Sequence, residues 1–455
     1  MTYHVGNPSL FDDRALTGCG KARQGEIMRL TIRASMKSIL CLTAMILLAR
    51  DAGAQFLQYT PPGGPEEKPE SRQTQLEHEI KDARYRLGPV RIAPWAALHD
   101  LAYLRSVLGT GQSLPNDFTA TAGAGFRAYL HNGPRAIWTA QVLPEYVWWR
   151  RESGRRRLNG RYLLSYSGFF NHVTLEVRAG REQQQQLVHP EVTVPVSSRR
   201  DGGEARAEVR IAGAVSAFAA ASFNRQNHLV EDLGVPSAQA LRLLDADERI
   251  TRAGVRWHPD PQWSVALGAE HTQVDFLHGT LDRSNVGTAP VTEIRFQGLR
   301  VGFQADAAAR SLEASRGAEF VPYHKVTGNA ALLLGSEGHL GATIYASRNL
   351  VYSLSPLYAY LDDQRLGTAL TLRLGRRTRG HFFVEGAKND YTAFSAGTPR
   401  RREDVSSYGG SLTFGLRGGL TLGLQGVRSQ FNSNLAGGDH AYTSVGATIN
   451  LVGFQ

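Results

Sequence analysis

Phe118-Thr119-Ala120-Thr121-Ala122-Gly123-Ala124-Gly125-Phe126-Arg127-Ala128-Tyr129-Leu130, the turn His131-Asn132-Gly133-Pro134, and Ala136-Ile137-Trp138-Thr139-Ala140-Gln141-Val142 decide the fold. Successive side chains of an extended chain point to opposite faces, so Phe118, Ala120, Ala122, Ala124, Phe126, Ala128 and Leu130 share one face. Ala136, Trp138, Ala140 and Val142 resume that face after the turn, which makes a hairpin with one apolar side.

The unit recurs. Ala253, Val255 and Trp257 lead into a Pro-Asp-Pro turn, and Trp263, Val265, Leu267 and Ala269 follow it. Leu412, Phe414 and Leu416 precede Arg417-Gly418-Gly419, then Leu420, Leu422 and Leu424. Leu370, Leu372 and Leu374 precede a basic turn, then Phe382 and Val384. Segments of about ten alternating residues match the strand length of a transmembrane barrel. Counting from Val90 gives about eighteen strands, or sixteen if 304–317, whose alternation five alanines dilute, does not form one. Short turns alternate with long loops, among them 227–247 and 276–292.

A soluble β-sandwich or propeller also alternates. Three features favour a membrane barrel: the short turns fall on one side, the polar alternate positions carry ions and amides as a wet lumen would, and an export signal precedes the strands. Backbone groups in lipid must all be paired, and a closed sheet achieves that. The expected fold class is therefore all-β, a transmembrane antiparallel up-and-down barrel of 16 to 18 strands.

Composition agrees. The chain has 455 residues, 42% of them hydrophobic, and no run of about 18–20 apolar residues that would cross a bilayer as a helix. This excludes a polytopic helical transporter. From Met28 the chain supplies Arg29, Arg33 and Lys37, the apolar run 39–49 and the small-residue site Ala52-Gly53-Ala54, which reads as a signal peptide cleaved before Gln55. We expect residues 1–54 to be leader and signal, with the start at Met28 or Met36, residues 55–89 to be a polar linker, and 90–455 to be the barrel. Both cysteines, Cys19 and Cys41, fall in the leader, so the mature chain would have no thiol for disulfides or iron–sulfur clusters. Cleavage removes seven basic and four acidic residues and lowers the net charge from +10 to +7. Within the linker, 74–86 places Leu76, Ile80 and Ala83 at roughly helical spacing; a plain tether is the first reading, one short amphipathic helix at or inside the barrel mouth the second.

Ala83-Arg84-Tyr85-Arg86-Leu87-Gly88-Pro89-Val90-Arg91-Ile92 with Pro94, then Asp117-Phe118-Thr119-Ala120 and the repeated strand–turn–strand units, resembles outer-membrane β-barrel, porin-like proteins of the kind associated with exopolysaccharide operons. The resemblance covers most of 83–455 and implies a bacterial outer-membrane channel or conduit for anionic solutes or surface polysaccharide. The alternative is a non-conducting envelope barrel that binds polysaccharide. Phe454, next to last, partly matches the terminal aromatic that the barrel assembly machinery reads.

Inward positions set selectivity. Arg206, Glu208, Arg210, Arg252, Arg256, Arg295 and Arg373 alternate with apolar residues and are the lumen candidates. Guanidinium groups there would favour anions, unless they pair with Glu208 and Glu176 and merely stiffen the wall. Neutralising Arg206, Arg210, Arg252 and Arg256 is expected to lower anion preference with the fold retained. Arg150, Arg151, Arg155, Arg156 and Arg157, beside Trp148 and Trp149, are expected to touch lipopolysaccharide or another anion, as are Arg199 and Arg200 and the group Arg400, Arg401 and Arg402. Trp138, Trp257 and Trp263 suit an aromatic girdle. The expected partners are outer-membrane lipid, lipopolysaccharide, the assembly machinery and an anionic polysaccharide, and not nucleic acid, since no recognition module is present. No Gly-x-Ser-x-Gly, His-Glu-x-x-His or phosphate loop occurs, so neither an enzyme nor a cofactor or metal is expected.

Overall fold

The computed structural model describes residues 72–104, 117–133, 135–186, 190–191, 196–230, 240–260, 262–279, 282–335, 339–375, 377–416 and 420–452. The leader, the cysteines and Phe454 lie outside the described residues.

Helix α1 (Arg72–Asp82) and a short strand β1 (Tyr85–Leu87) precede eighteen long strands. These are β2 (Val90–Leu104), β3 (Asp117–His131), β4 (Ala136–Trp149), β5 (Arg157–Phe169), β6 (Val173–Gln186), β7 (Val196–Ala212), β8 (Val215–Leu229), β9 (Ala246–Trp257) and β10 (Trp263–Phe276). Then follow β11 (Asn285–Gln297), β12 (Val301–Ala314), β13 (Tyr323–Leu334), β14 (Leu340–Tyr352), β15 (Tyr358–Arg373), β16 (Thr378–Ala393), β17 (Arg402–Gly415), β18 (Leu420–Ser433) and β19 (His440–Val452). Each pairs antiparallel with its neighbours in sequence, and β19 pairs back onto β2, which closes an 18-strand barrel. The seam is completed from below. β19 reaches Trp95 of β2 with Val452, and β1 takes over the same edge from Ile92 to Val90. Gly88, at φ 59, makes the tight turn that folds β1 back.

Alternation gives the wall two chemistries. Large apolar side chains stand on one face and remain open to the surroundings: Leu267 is 55% exposed, Leu366 64% and Val384 58%. The other face carries arginines, carboxylates, amides and hydroxyls. The eighteen-strand count holds, because Val301–Ala314 pairs on both sides and the sixteen-strand alternative fails. One boundary is corrected. Much of the expected loop 276–292 is strand, since β11 starts at Asn285 and pairs with β10 through its length. Val286-Gly287-Thr288-Ala289-Pro290 hides the alternation, and the ladder to β12 is interrupted between Thr288 and Val291, at Pro290, which has no N–H to donate.

The connections at one rim, here the short-turn rim, have two to five residues, while those at the other have five or more. One long-loop connection shows how such a segment is held. The buried Asp117 carboxylate accepts backbone N–H groups of Arg151 and Glu152 at 2.8–3.0 Å and fixes the β4–β5 loop to the start of β3.

Candidate functional site

All seven lumen candidates share one face, and cross-strand contacts identify it as the concave one. Arg256 on β9 reaches Glu208 on β7, at 2.7 Å, and Glu293 on β11, at 3.0 Å, each across an intervening strand. Strands are about 4.8 Å apart, so such a contact spans nearly 10 Å and needs small residues beneath it. Ser216, Ala266, Gly268 and Ala289 supply them at the crossing points.

A ladder of alternating charge results. Arg206 meets Glu208 at 3.5 Å, and Glu208 meets Arg256; Glu293 joins Arg256 to Arg252 at 3.0 Å; Glu270 joins Arg252 to Arg310, the latter at 2.9 Å. Ser216 Oγ donates to Glu208 at 2.7 Å, and the Arg256 guanidinium lies 5.2 Å from the centre of the Phe218 ring. Four guanidiniums are thus bound by three carboxylates. Arg206 meets Glu208 along its own strand, the cross-strand partner of Glu208 is Arg256, and no ion pair joins Arg206 to Glu176 among the described residues. Glu270, Glu293 and Arg310 carry no local sequence signal of this role, because contacts that skip a strand depend on barrel register.

The ladder borders a cavity of about 550 Å³ lined by seven arginines and only three glutamates. Arg161 and Arg178 pair with Glu182 and Glu204. Arg200 lines the cavity with no ion pair among the described residues. Arg210, Arg295 and Arg373 are likewise inward, exposed and without an ion pair among the described residues. The wall therefore holds paired arginines that stiffen it and unpaired ones that face the lumen.

Both mouths are narrowed. At the short-turn rim α1 forms, so the tether reading is corrected: Leu76, Ile80 and Ala83 are buried against Tyr129 and Ile137 on the inward face. Tyr129 donates its hydroxyl to Glu79 at 2.9 Å. Leu76 is fully buried, and Leu76→Ala is expected to weaken docking by about 2–5 kcal/mol. Faster tryptic cleavage at Lys81, with the barrel still protease-resistant, would show it. At the long-loop rim Glu191, between β6 and β7, accepts from Leu354 N–H at 2.7 Å, Ser353 Oγ at 3.1 Å and Arg401 at 2.7 Å. Those partners lie in the β14–β15 and β16–β17 connections, about half the ring away from β6 and β7.

The loop arginines divide. Arg155 stacks on Trp149 at 3.6 Å and is 8% exposed; burial pushes its guanidinium down to about 10. Arg156 donates to Trp149 O at 2.7 Å and to Arg150 O at 3.2 Å and lies over Trp148. Both hold the protein's own tryptophans and backbone; burial of Arg155 corrects its expected place at an outer anion contact, while Arg156 remains exposed. Arg150 and Arg151 remain exposed and Arg157 half-buried. Arg199 meets Asp201 at 2.9 Å, and Arg402 meets Asp390 at 2.7 Å.

Trp138, Trp257 and Trp263 lie on the outer face at the short-turn rim, 39%, 52% and 38% exposed. Trp138 packs 5.0 Å from Tyr166, and Trp263 4.7 Å from Phe296.

Among the described residues no group of three His, Cys, Asp or Glu side chains is arranged to hold a metal. Ser311 and His324 approach to 3.0 Å, yet no carboxylate orients that imidazole among the described residues.

No protein-family model matches the chain, and no curated protein matches its sequence. Among solved structures the fold is similar to a BenF-like porin from Pseudomonas fluorescens Pf-5, with a TM-score of 0.48 and 9% identity over 80% of this chain and 99% of that one. It is also similar to Pseudomonas aeruginosa OpdL, with a TM-score of 0.46 and 10% identity over 80% and 98% of the two chains. Pseudomonas aeruginosa OccK2 (OpdF) in complex with glucuronate gives a TM-score of 0.46 and 10% identity over 80% and 97%. At such identity the likeness is one of fold, and function has to be argued from the residues.

Proposed function

We propose that the protein is a porin-like channel of the bacterial outer membrane that passes anions through an arginine-lined lumen. The single observation that carries this reading is the arginine-rich cavity inside the barrel wall, where most arginines are ion-paired and Arg200 is exposed with no ion pair among the described residues. A barrel of this strand number leaves room for water, and a cationic wall raises the local concentration of anions. Arg stays charged at any working pH and offers a planar fork to carboxylate, sulfate or phosphate. Membrane residence is supported by the exposed leucines and valines of the outer wall and by the tryptophans at its rim. Exposed Arg150 and Arg151 are suited to lipopolysaccharide phosphate, and carboxylate-bearing polysaccharide belongs to the same cargo class as small anions.

Single-channel conductance of residues 55–455 in a planar bilayer, with the reversal potential in a salt gradient, tests this. Steady steps with anion preference are expected, blocked by an acidic polysaccharide if that polymer enters the lumen. A folded, heat-modifiable barrel that conducts nothing would replace the channel by the non-conducting, polysaccharide-binding alternative, with α1 and the Glu191 contacts as the closures.

A further inference from the structure

A second cavity, of about 630 Å³, opens at the short-turn rim among the β5–β6, β7–β8 and β9–β10 turns. Phe170, Asn171, His172, Arg210, Gly213 and His258 are on its lining, together with Glu208, Ser216 and Asp260. Register explains the meeting: Arg210 N–H donates to His172 O at 2.7 Å, Arg210 pairs with Ser216, and His258 N–H donates to Ala214 O at 2.8 Å.

The charged groups of this cavity are not equally satisfied. Glu208 is taken by Ser216 and by Arg256, both at 2.7 Å, and by Arg206. Asp260 is taken by the N–H groups of Gln262, at 2.7 Å, and Trp263, at 3.1 Å, which it holds in the turn. His258 stands 4.0 Å from Glu208. Of the cavity's full charges Arg210 and Asp260 have no ion pair among the described residues, and of these two Arg210 also has no side-chain hydrogen bond among them and is exposed. Both carboxylates have hydrogen-bond donors supplied from within, which leaves the Arg210 fork as the charged group with its donors open to the cavity. Glu208 also pairs with Arg206 and Arg256, which line the first cavity, so the ladder links the two.

We propose that this rim cavity is a separate oxyanion site, in which the Arg210 fork binds a carboxylate or phosphate group with the His172 and His258 imidazoles beside it. It goes beyond the channel reading, since it concerns binding at the short-turn mouth and can be measured without conduction. Its volume is in the range of small-molecule sites of about 300–1,000 Å³, which suits a sugar-sized solute bearing one such group. An anion leaving the ladder would meet Arg210 as the next unpaired cation.

The test places a reporter at the cavity. Residues 55–455 contain no cysteine, so Asn171→Cys can carry an environment-sensitive fluorophore. The labelled barrel, refolded in detergent, is titrated with inorganic phosphate and, in a second arm, with acetate. A saturable response to either is expected, and whichever anion gives it identifies the preferred group. Arg210→Gln is expected to weaken it about tenfold or more, the loss of a hydrogen bond to a charged group, while Arg210→Lys weakens it less. Arg210 is exposed, so both variants should keep the heat-modifiable mobility of the parent. The absence of a saturable response to either anion, or a loss on Arg210→Gln smaller than about tenfold, would overturn the site. A barrel that conducts nothing yet shows the Arg210-dependent response would refute the channel and leave this site standing.

Discussion

Arg252→Gln and Arg256→Gln together should turn the ladder from a net cation into a net anion and shift the reversal potential toward cation preference. The reason lies in the connectivity. Glu293 is held only by Arg252 and Arg256 in the ladder, so both its partners leave at once. Glu208 loses Arg256 and keeps Arg206, and Glu270, 1% exposed, keeps Arg310. Three carboxylates then face two arginines. Removing the partners of a largely buried charge costs about 3–5 kcal/mol, so a lower melting point of the heat-modifiable band should accompany the change in selectivity. The fold should be retained, as expected for neutralising these arginines, but with reduced stability. Adding Glu293→Gln separates the two effects: stability should recover, because no orphaned carboxylate remains, while the lost anion preference should not return. An unchanged reversal potential in the double variant would place the ladder outside the conduction path.

Period-two alternation made the barrel legible because it is a local property. Phe118 to Leu130 and Trp263 to Ala269 announce a face without any knowledge of their neighbours. The same locality set the limits. Arg252 and Arg256 could be assigned to the polar face, but their partners Glu293 and Glu208 sit two strands away, and only closure and register bring them within 3.0 Å. The Glu191–Arg401 contact, 210 residues apart in sequence, is still less accessible to reading along the chain. Arg155 misled for a related reason: a basic loop reads as solvated, whereas stacking on Trp149 withdraws this arginine from solvent. Helix α1 was half legible. Its three apolar residues showed a face, and Tyr129, on a strand, supplies what that face needs.

Leu267→Arg addresses the outer wall instead. Leu267 is the third outward side chain of β10 after Trp263 and Val265, lies between Val255 and Thr292, and is 55% exposed. In water a leucine so exposed could become arginine at little cost, within about 0.5 kcal/mol. At the midplane of a bilayer the same change costs about 2–4 kcal/mol. Leu422 provides the comparison. It is only the second outward side chain after the turn, following Leu420, and pairs with Phe414 and Ile449, so Leu422→Arg should cost less because the long side chain can reach the interface. The equilibrium refolding stability of both variants in lipid vesicles measures the difference. A gradient, with Leu267→Arg the more costly, requires hydrocarbon against the wall and fixes the depth of the short-turn rim. Equal and negligible costs would mean that water, not lipid, wets these leucines, and the channel reading would lose the membrane on which it depends.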